Sequence, residues 1–135
     1  MSDKSFKLEI VTPARIVFSG DVESFTAPGA LGSFQVLYNH APLLSLIGVG
    51  EVKFKNTQGS DVHYATGGGF VEVMNNKVVL LAESAERSDE IDVKRAQSAK
   101  ERAETRLAEH SKEINPDRAR LALMKAINRL KIAGK

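Results

Sequence analysis

The sequence predicts an α+β protein: an all-β sandwich, or flattened barrel, over residues 1–87, followed by an antiparallel two-helix hairpin over residues 88–135. Two observations carry this division. Nine of the ten glycines precede Phe70, and the tenth is Gly134. Turns between strands accept glycine, whereas each glycine inside a helix costs about 1 kcal/mol relative to alanine. The apolar period also changes, from two up to Leu81 to three and four after Asp92.

The strands follow in order. Lys7-Leu8-Glu9-Ile10 alternates and is ended by Pro13. Ile16-Val17-Phe18 precedes a predicted turn at Ser19-Gly20-Asp21. Val22 to Ala27 alternates, and Pro28-Gly29 is read as the next turn. Phe34 to Leu37 forms a short strand, and Glu51 to Lys55 alternates cleanly before a turn over Asn56 to Ser60. Val62-His63-Tyr64 leads into Gly67-Gly68-Gly69. Phe70 to Met74 and Lys77 to Leu81 form a hairpin closed by Asn75-Asn76, because asparagine tolerates the positive φ such turns need.

The first helix is predicted from an Asp92 cap to about His110, with an inner stripe of Ala96, Ala99, Ala103 and Leu107. The second starts at Asn115-Pro116, where asparagine caps and proline loses no needed donor. Its expected stripe is Ala119, Ala122, Leu123, Ala126, Ile127 and Leu130. The short link from Ser111 to Ile114 makes the helices antiparallel. At roughly 25 cal/mol per Å² of apolar surface, an alanine seam contributes much less than a leucine seam, so the sequence is read either as a weakly held hairpin that can leave its resting place or as an ordinary helical pair that stays docked.

Composition excludes several functions. With no cysteine there is no disulfide, thiolate metal site or cysteine nucleophile. His40, His63 and His110 lack ligand-like spacing, so no metal is expected. No apolar run reaches the roughly 18 residues of a membrane span, and the first residues lack a secretory pattern. Gly67-Gly68-Gly69 has no following Lys-Ser/Thr, so it is not a phosphate cradle of that kind. Up to Arg87 there are seven Lys/Arg and nine Asp/Glu; from Ser88 onward there are twelve and eight. The basic surplus on the hairpin suits an acidic protein surface or a polyphosphate. It is too mild, and too mixed with glutamate, for a nucleic-acid adaptor.

Several segments resemble the epsilon subunit of bacterial rotary, proton-translocating F-type ATP synthases. They are Leu8 to Pro13, Asn39-His40-Ala41-Pro42-Leu43-Leu44, Gly68 to Val73, Ala85-Glu86-Arg87, Ile91 to Ala96, Lys100 to Glu104 and Ala126 to Leu130, and they span nearly the whole chain. The resemblance implies a non-catalytic subunit of the central stalk, coupling proton flow to ATP synthesis. Its β domain would bind the gamma subunit and the c-ring. Its hairpin would lie folded down, or extend along gamma toward the catalytic alpha and beta subunits and brake ATP hydrolysis. It further implies a peripheral protein on the cytoplasmic face of the bacterial plasma membrane, without insertion into the bilayer. No cofactor is required, and ATP is the expected regulatory ligand.

The resemblance also assigns residues. The family motif Ile/Leu-Asp-x-x-Arg-Ala falls on Ile91, Asp92, Arg95 and Ala96. Glu86 would accept from an adenine amino group, Ile91 and Ala96 would wall the base, and Arg95, Arg129 and Lys125 would meet the phosphates. The bland alternative is that Asp92 only caps a helix, worth about 1 kcal/mol, and that Arg95 is its exposed partner. Arg102, Arg106, Arg118, Arg120 and Lys131 are the candidate inhibitory contacts to beta. His40 and Pro42 stand in the loop expected to face the ring. A family glutamate in the preceding segment falls on Ser33 here, so its contact would be lost or replaced. A free-standing adenine-nucleotide sensor is the alternative reading.

Overall fold

The computed structural model describes residues 4–110 and 112–135. The β part contains β1 (Phe6–Val11), β2 (Ile16–Gly29), β3 (Gly32–Val36), β4 (Leu43–Asn56), β5 (Asp61–Met74), β6 (Lys77–Ala82) and β7 (Ala85–Arg87). The strand order is β1-β6-β5-β4-β2-β3, and β1 also pairs with β2, which closes the sheet into a flattened barrel. Only β1 and β6 run parallel; β7 pairs antiparallel with β5. The hairpin is α1 (Val93–Glu109) and α2 (Pro116–Ile132).

Alternation places Leu8, Ile10, Phe25, Phe54, Val71 and Leu80 inside the barrel, each at most 1% exposed. Burying one such side chain contributes about 1.5–3 kcal/mol. Phe54 lies at the centre, 4.5 Å from Phe18 and 5.9 Å from Tyr64 between ring centroids.

The strands are longer than the alternation suggested. The expected turn at Ser19-Gly20-Asp21 lies inside β2, where these residues face Glu9, Leu8 and Lys7 of β1. Gly20 serves packing there: a Cβ would stand 3.2 Å from the Phe18 ring. Pro28-Gly29 also belongs to β2; the chain reverses one step later, and Ala30 N donates to Leu46 O at 3.0 Å. β4 begins at Leu43 rather than Glu51, because Leu44 and Leu46 face outward and mask the alternation. Gly67-Gly68-Gly69 runs within β5. Gly69 has φ +151°, and a Cβ on it would fall 2.0 Å from Leu81 O, so only glycine fits this crossing. The Asn75-Asn76 turn forms as expected, with φ of 51° and 57°.

Both helix caps form. Asp92 accepts from Arg95 N at 3.0 Å, and Asn115 accepts from Asp117 N at 3.0 Å and Arg118 N at 3.3 Å. His110 ends α1 in the left-handed region, with φ 49°. Ala96, Ala103, Ala119 and Ala126 are buried in the seam. Ala122 faces α1 as expected but is exposed in the open cleft between the helices, and Ile127 departs from the expected stripe. The reason is that α2 shares its buried faces between α1 and the outer surfaces of β4 and β5, which shifts burial toward Ile132.

Candidate functional site

The hairpin lies folded against the sheet, with α2 as the contacting helix. Ile132, 1% exposed, packs against Ala65 of β5 and Ile91 of the linker. Around this apolar point are polar ties. Asn128 Nδ2 donates to Gly50 O at 2.8 Å. Gly134 N donates to Ser88 O at 3.1 Å, and Ser88 Oγ donates to Lys135 O at 3.0 Å. Lys135 Nζ donates to Glu51 Oε2 at 2.8 Å. Lys125 Nζ is 3.8 Å from Glu83 Oε2.

Above these ties is a cleft of about 400 Å³, within the usual size range of small-molecule sites. Its walls are Glu86 from β7, Glu90 and Asp92 from the linker, Arg95, Ala96, Ala99 and Arg102 from α1, and Arg129 from α2. Three carboxylates and three guanidinium groups share it, so the cleft as a whole is close to neutral. Arg129 Nε is hydrogen-bonded and ion-paired to Glu86 Oε1, with both side chains about one-third exposed.

Five of the seven expected nucleotide residues therefore meet: Glu86, Asp92, Arg95, Ala96 and Arg129. Two do not. The Ile91 side chain is buried against Ala65 and Ile132, beneath the hairpin rather than in the cleft. Lys125 faces the neighbouring β5 and β6–β7 surface, by Gly67, Ser84 and Glu83. Asp92 is the α1 cap and also lines the cleft, so its capping role leaves it in the cleft wall.

Arg102, expected at an inhibitory contact, lines this cleft. Together with Ala99 it also bounds a second cleft of about 490 Å³ between the helices, reached by Arg106 and Arg118. Arg120 pairs with Asp117 at 2.7 Å, and Lys131 is exposed on α2. Ser33 is exposed at the start of β3 opposite Pro28, whereas His40 and Pro42 lie beyond the other end of that strand, so the three do not form one cluster. His40 Nδ1 is 2.6 Å from Ala41 O, and its neighbour Asn39 is tied to Asn76 by hydrogen bonds of 2.7 and 3.0 Å.

Glu90 was missing from the expected site, although its place just before the Asp92 cap was a usable signal. Gly50, Glu51, Ser88 and Asn128 were also missing. Their partners on the hairpin or barrel across the boundary are 46 to 84 positions away, and no local pattern announces such pairs.

Two comparisons of sequence bear on identity. Residues 5–88 match the family described as ATP synthase, Delta/Epsilon chain, beta-sandwich domain, and residues 89–134 match its long alpha-helix domain. The chain is 44% identical over 135 residues to the ATP synthase epsilon chain of Syntrophomonas wolfei, covering 100% of this chain and 98% of that one. It is 50% identical over 134 residues to the epsilon chain of Pelotomaculum thermopropionicum, covering 99% of each. In solved structures, the fold resembles a chain of the Euglena gracilis mitochondrial ATP synthase (OSCP/F1/c-ring) with a TM-score of 0.81. That match has 19% identity and covers 92% of this chain and 78% of the other. The barrel, the hairpin and these full-length matches together show that the chain belongs to the ATP synthase delta/epsilon family, with the epsilon chains of bacteria among its relatives.

Proposed function

We infer that this epsilon-type chain is a non-catalytic rotor subunit whose hairpin is a nucleotide-sensitive brake. The observation that carries the reading is the composition of the 400 Å³ cleft: it takes walls from α1, from α2 and from Glu86 on the barrel. It is complete only while the hairpin is folded down. A ligand bound there favours the folded state by its differential affinity for that state. An adenine base suits the end near Glu86, and phosphates suit the guanidinium groups of Arg95 and Arg102. Arg129 would leave Glu86, or share it, when a nucleotide enters.

The outer surface of the barrel supports a stalk role. Leu46, Phe70 and Leu81 are 49–56% exposed and stand opposite one another across β4, β5 and β6. Such an apolar row on a soluble face suits permanent contact with another subunit, which on this reading is gamma. The loop with His40 and Pro42 would face the c-ring. No helix among the described residues is long and apolar enough to cross a membrane, which fits attachment through partners on the cytoplasmic face. In the extended state, Arg106, Arg118, Arg120 and Lys131 are the groups offered to acidic surfaces of beta.

ATP titration of the isolated chain by calorimetry tests the nucleotide reading. Saturable binding, weakened more than tenfold by both Arg95→Ala and Arg129→Ala, is the expected result. Absence of heat up to millimolar ATP would remove the nucleotide from the mechanism. Assembly with gamma is the second arm: failure to bind it, with ATP binding intact, would favour the free-standing sensor.

A further inference from the structure

The ties between barrel and hairpin are unevenly placed. Those from Asn128, Ile132 and Lys135 all fall on one end of α2 and the residues after it. None of these three side chains lines the 400 Å³ cleft. They close on three neighbouring groups of β4 and β5. Gly50 O accepts from Asn128, the Glu51 carboxylate receives Lys135, and Ala65 at 4% exposure is covered by Ile132. Ser88, 7% exposed, adds a two-way bond with Gly134 and Lys135 at the pivot. By contrast α1, which supplies half of the cleft-lining residues, packs mainly on α2.

We propose that Asn128, Ile132 and Lys135 form a clasp on Gly50, Ala65 and Glu51 that holds the hairpin down without any nucleotide. The clasp goes beyond the nucleotide reading and stands without it. A ligand in the cleft then adds to a closure the chain already makes. Its leverage is set by the strength of the clasp, because the folded and extended populations multiply the two effects.

The test uses the full chain, which has no cysteine of its own. Cysteines placed at the exposed positions Lys55 and Ala108 carry a donor–acceptor dye pair that reads the folded fraction. The measurement is made in nucleotide-free buffer, and circular dichroism checks that the barrel is intact. The unmodified background is expected to be mostly folded down. Asn128→Ala and Lys135→Ala each lower the folded-to-extended ratio by about fivefold, the effect of losing one hydrogen bond. Ile132→Ala lowers it by about thirtyfold or more. Lys94→Ala, on the exposed side of α1, leaves it unchanged. A hairpin that is extended without nucleotide, or clasp variants with the unmodified ratio, would overturn the proposal. Because no ATP is present, these outcomes are independent of whether the cleft binds it.

Discussion

Arg129 of α2 and Glu86 of β7 are paired across the boundary between hairpin and barrel, 43 positions apart in sequence. The pair joins α2 to the barrel, and both members stand in the wall of the cleft. Glu86→Gln keeps a hydrogen-bond acceptor but removes the charge. With the pair about one-third exposed, the expected loss of docking is modest, about 1 kcal/mol after solvent screening. On the proposed nucleotide reading, Arg129→Ala removes the docking tie and a phosphate contact together, so its effect on ATP affinity should exceed its effect on nucleotide-free docking. Calorimetry and the dye pair separate the two.

Acid should loosen the clasp through Glu51. Burial alone raises its pKa, but the hydrogen bond and charge of Lys135, with the charge of His63 at 3.3 Å, outweigh that and hold it below its ordinary 4.5. His63 Nδ1 is buried and not aligned for a hydrogen bond, so Lys135 is the main partner. A carboxylate with a lowered folded-state pKa stabilises the folded state fully above its unfolded value. That stabilisation is lost as pH falls through the lower, folded one. The folded fraction should therefore drop on acidification below about pH 4.5. Subtracting the profile of Glu51→Gln isolates this group, and identical profiles would refute its role.

Phe54→Ala should destabilise the barrel by about 3–5 kcal/mol. Its ring is 1% exposed and lies between Phe18 and Tyr64, so the void has no solvent to fill it. Urea unfolding followed by far-ultraviolet circular dichroism measures the change.

Gly69→Ala should cost more than about 2 kcal/mol, since the new Cβ meets Leu81 O at 2.0 Å in a backbone conformation side chains rarely adopt. Gly48→Ala, whose Cβ meets nothing within 4 Å, is the comparison and should stay within about 1 kcal/mol. Equal losses in the two variants would show that chain entropy, not the crossing with β6, dominates.

Legibility in the sequence followed the range of the forces. Caps at Asp92 and Asn115 and the Asn75-Asn76 turn were readable because each is decided by neighbours within three residues. The turn expected at Ser19-Gly20-Asp21 is not a turn, and Gly67-Gly68-Gly69, to which the sequence assigned no element, runs within β5. Glycine there makes room for Phe18 and for the β6 backbone, and both neighbours are known only from the fold. Leu44 and Leu46 concealed half of β4 because an outward apolar face looks like a core face in one dimension. In the cleft, Asp92, Arg95 and Ala96 came from one motif. Glu90 stands two residues before Asp92, whereas the docking group around Gly50 and Ser88 depends on chain segments far apart. Ile91 matched the motif, yet its side chain points under the hairpin, toward Ile132.

The placement of the clasp at one end of α2 makes the hairpin mechanically anisotropic. Each helix has 17 residues, or about 25 Å at 1.5 Å per residue, and the far tip near Ile114 lies a full helix away from Lys135. A sideways load at the tip acts through that lever and peels the contacts in turn, from Lys125 toward Lys135. A load along the helix axis shears them all together. A rotating neighbour that pushes across the tip would thus open the hairpin at a much lower force than one pulling along it. Single-molecule pulling from Ala108 in the two directions would read that ratio.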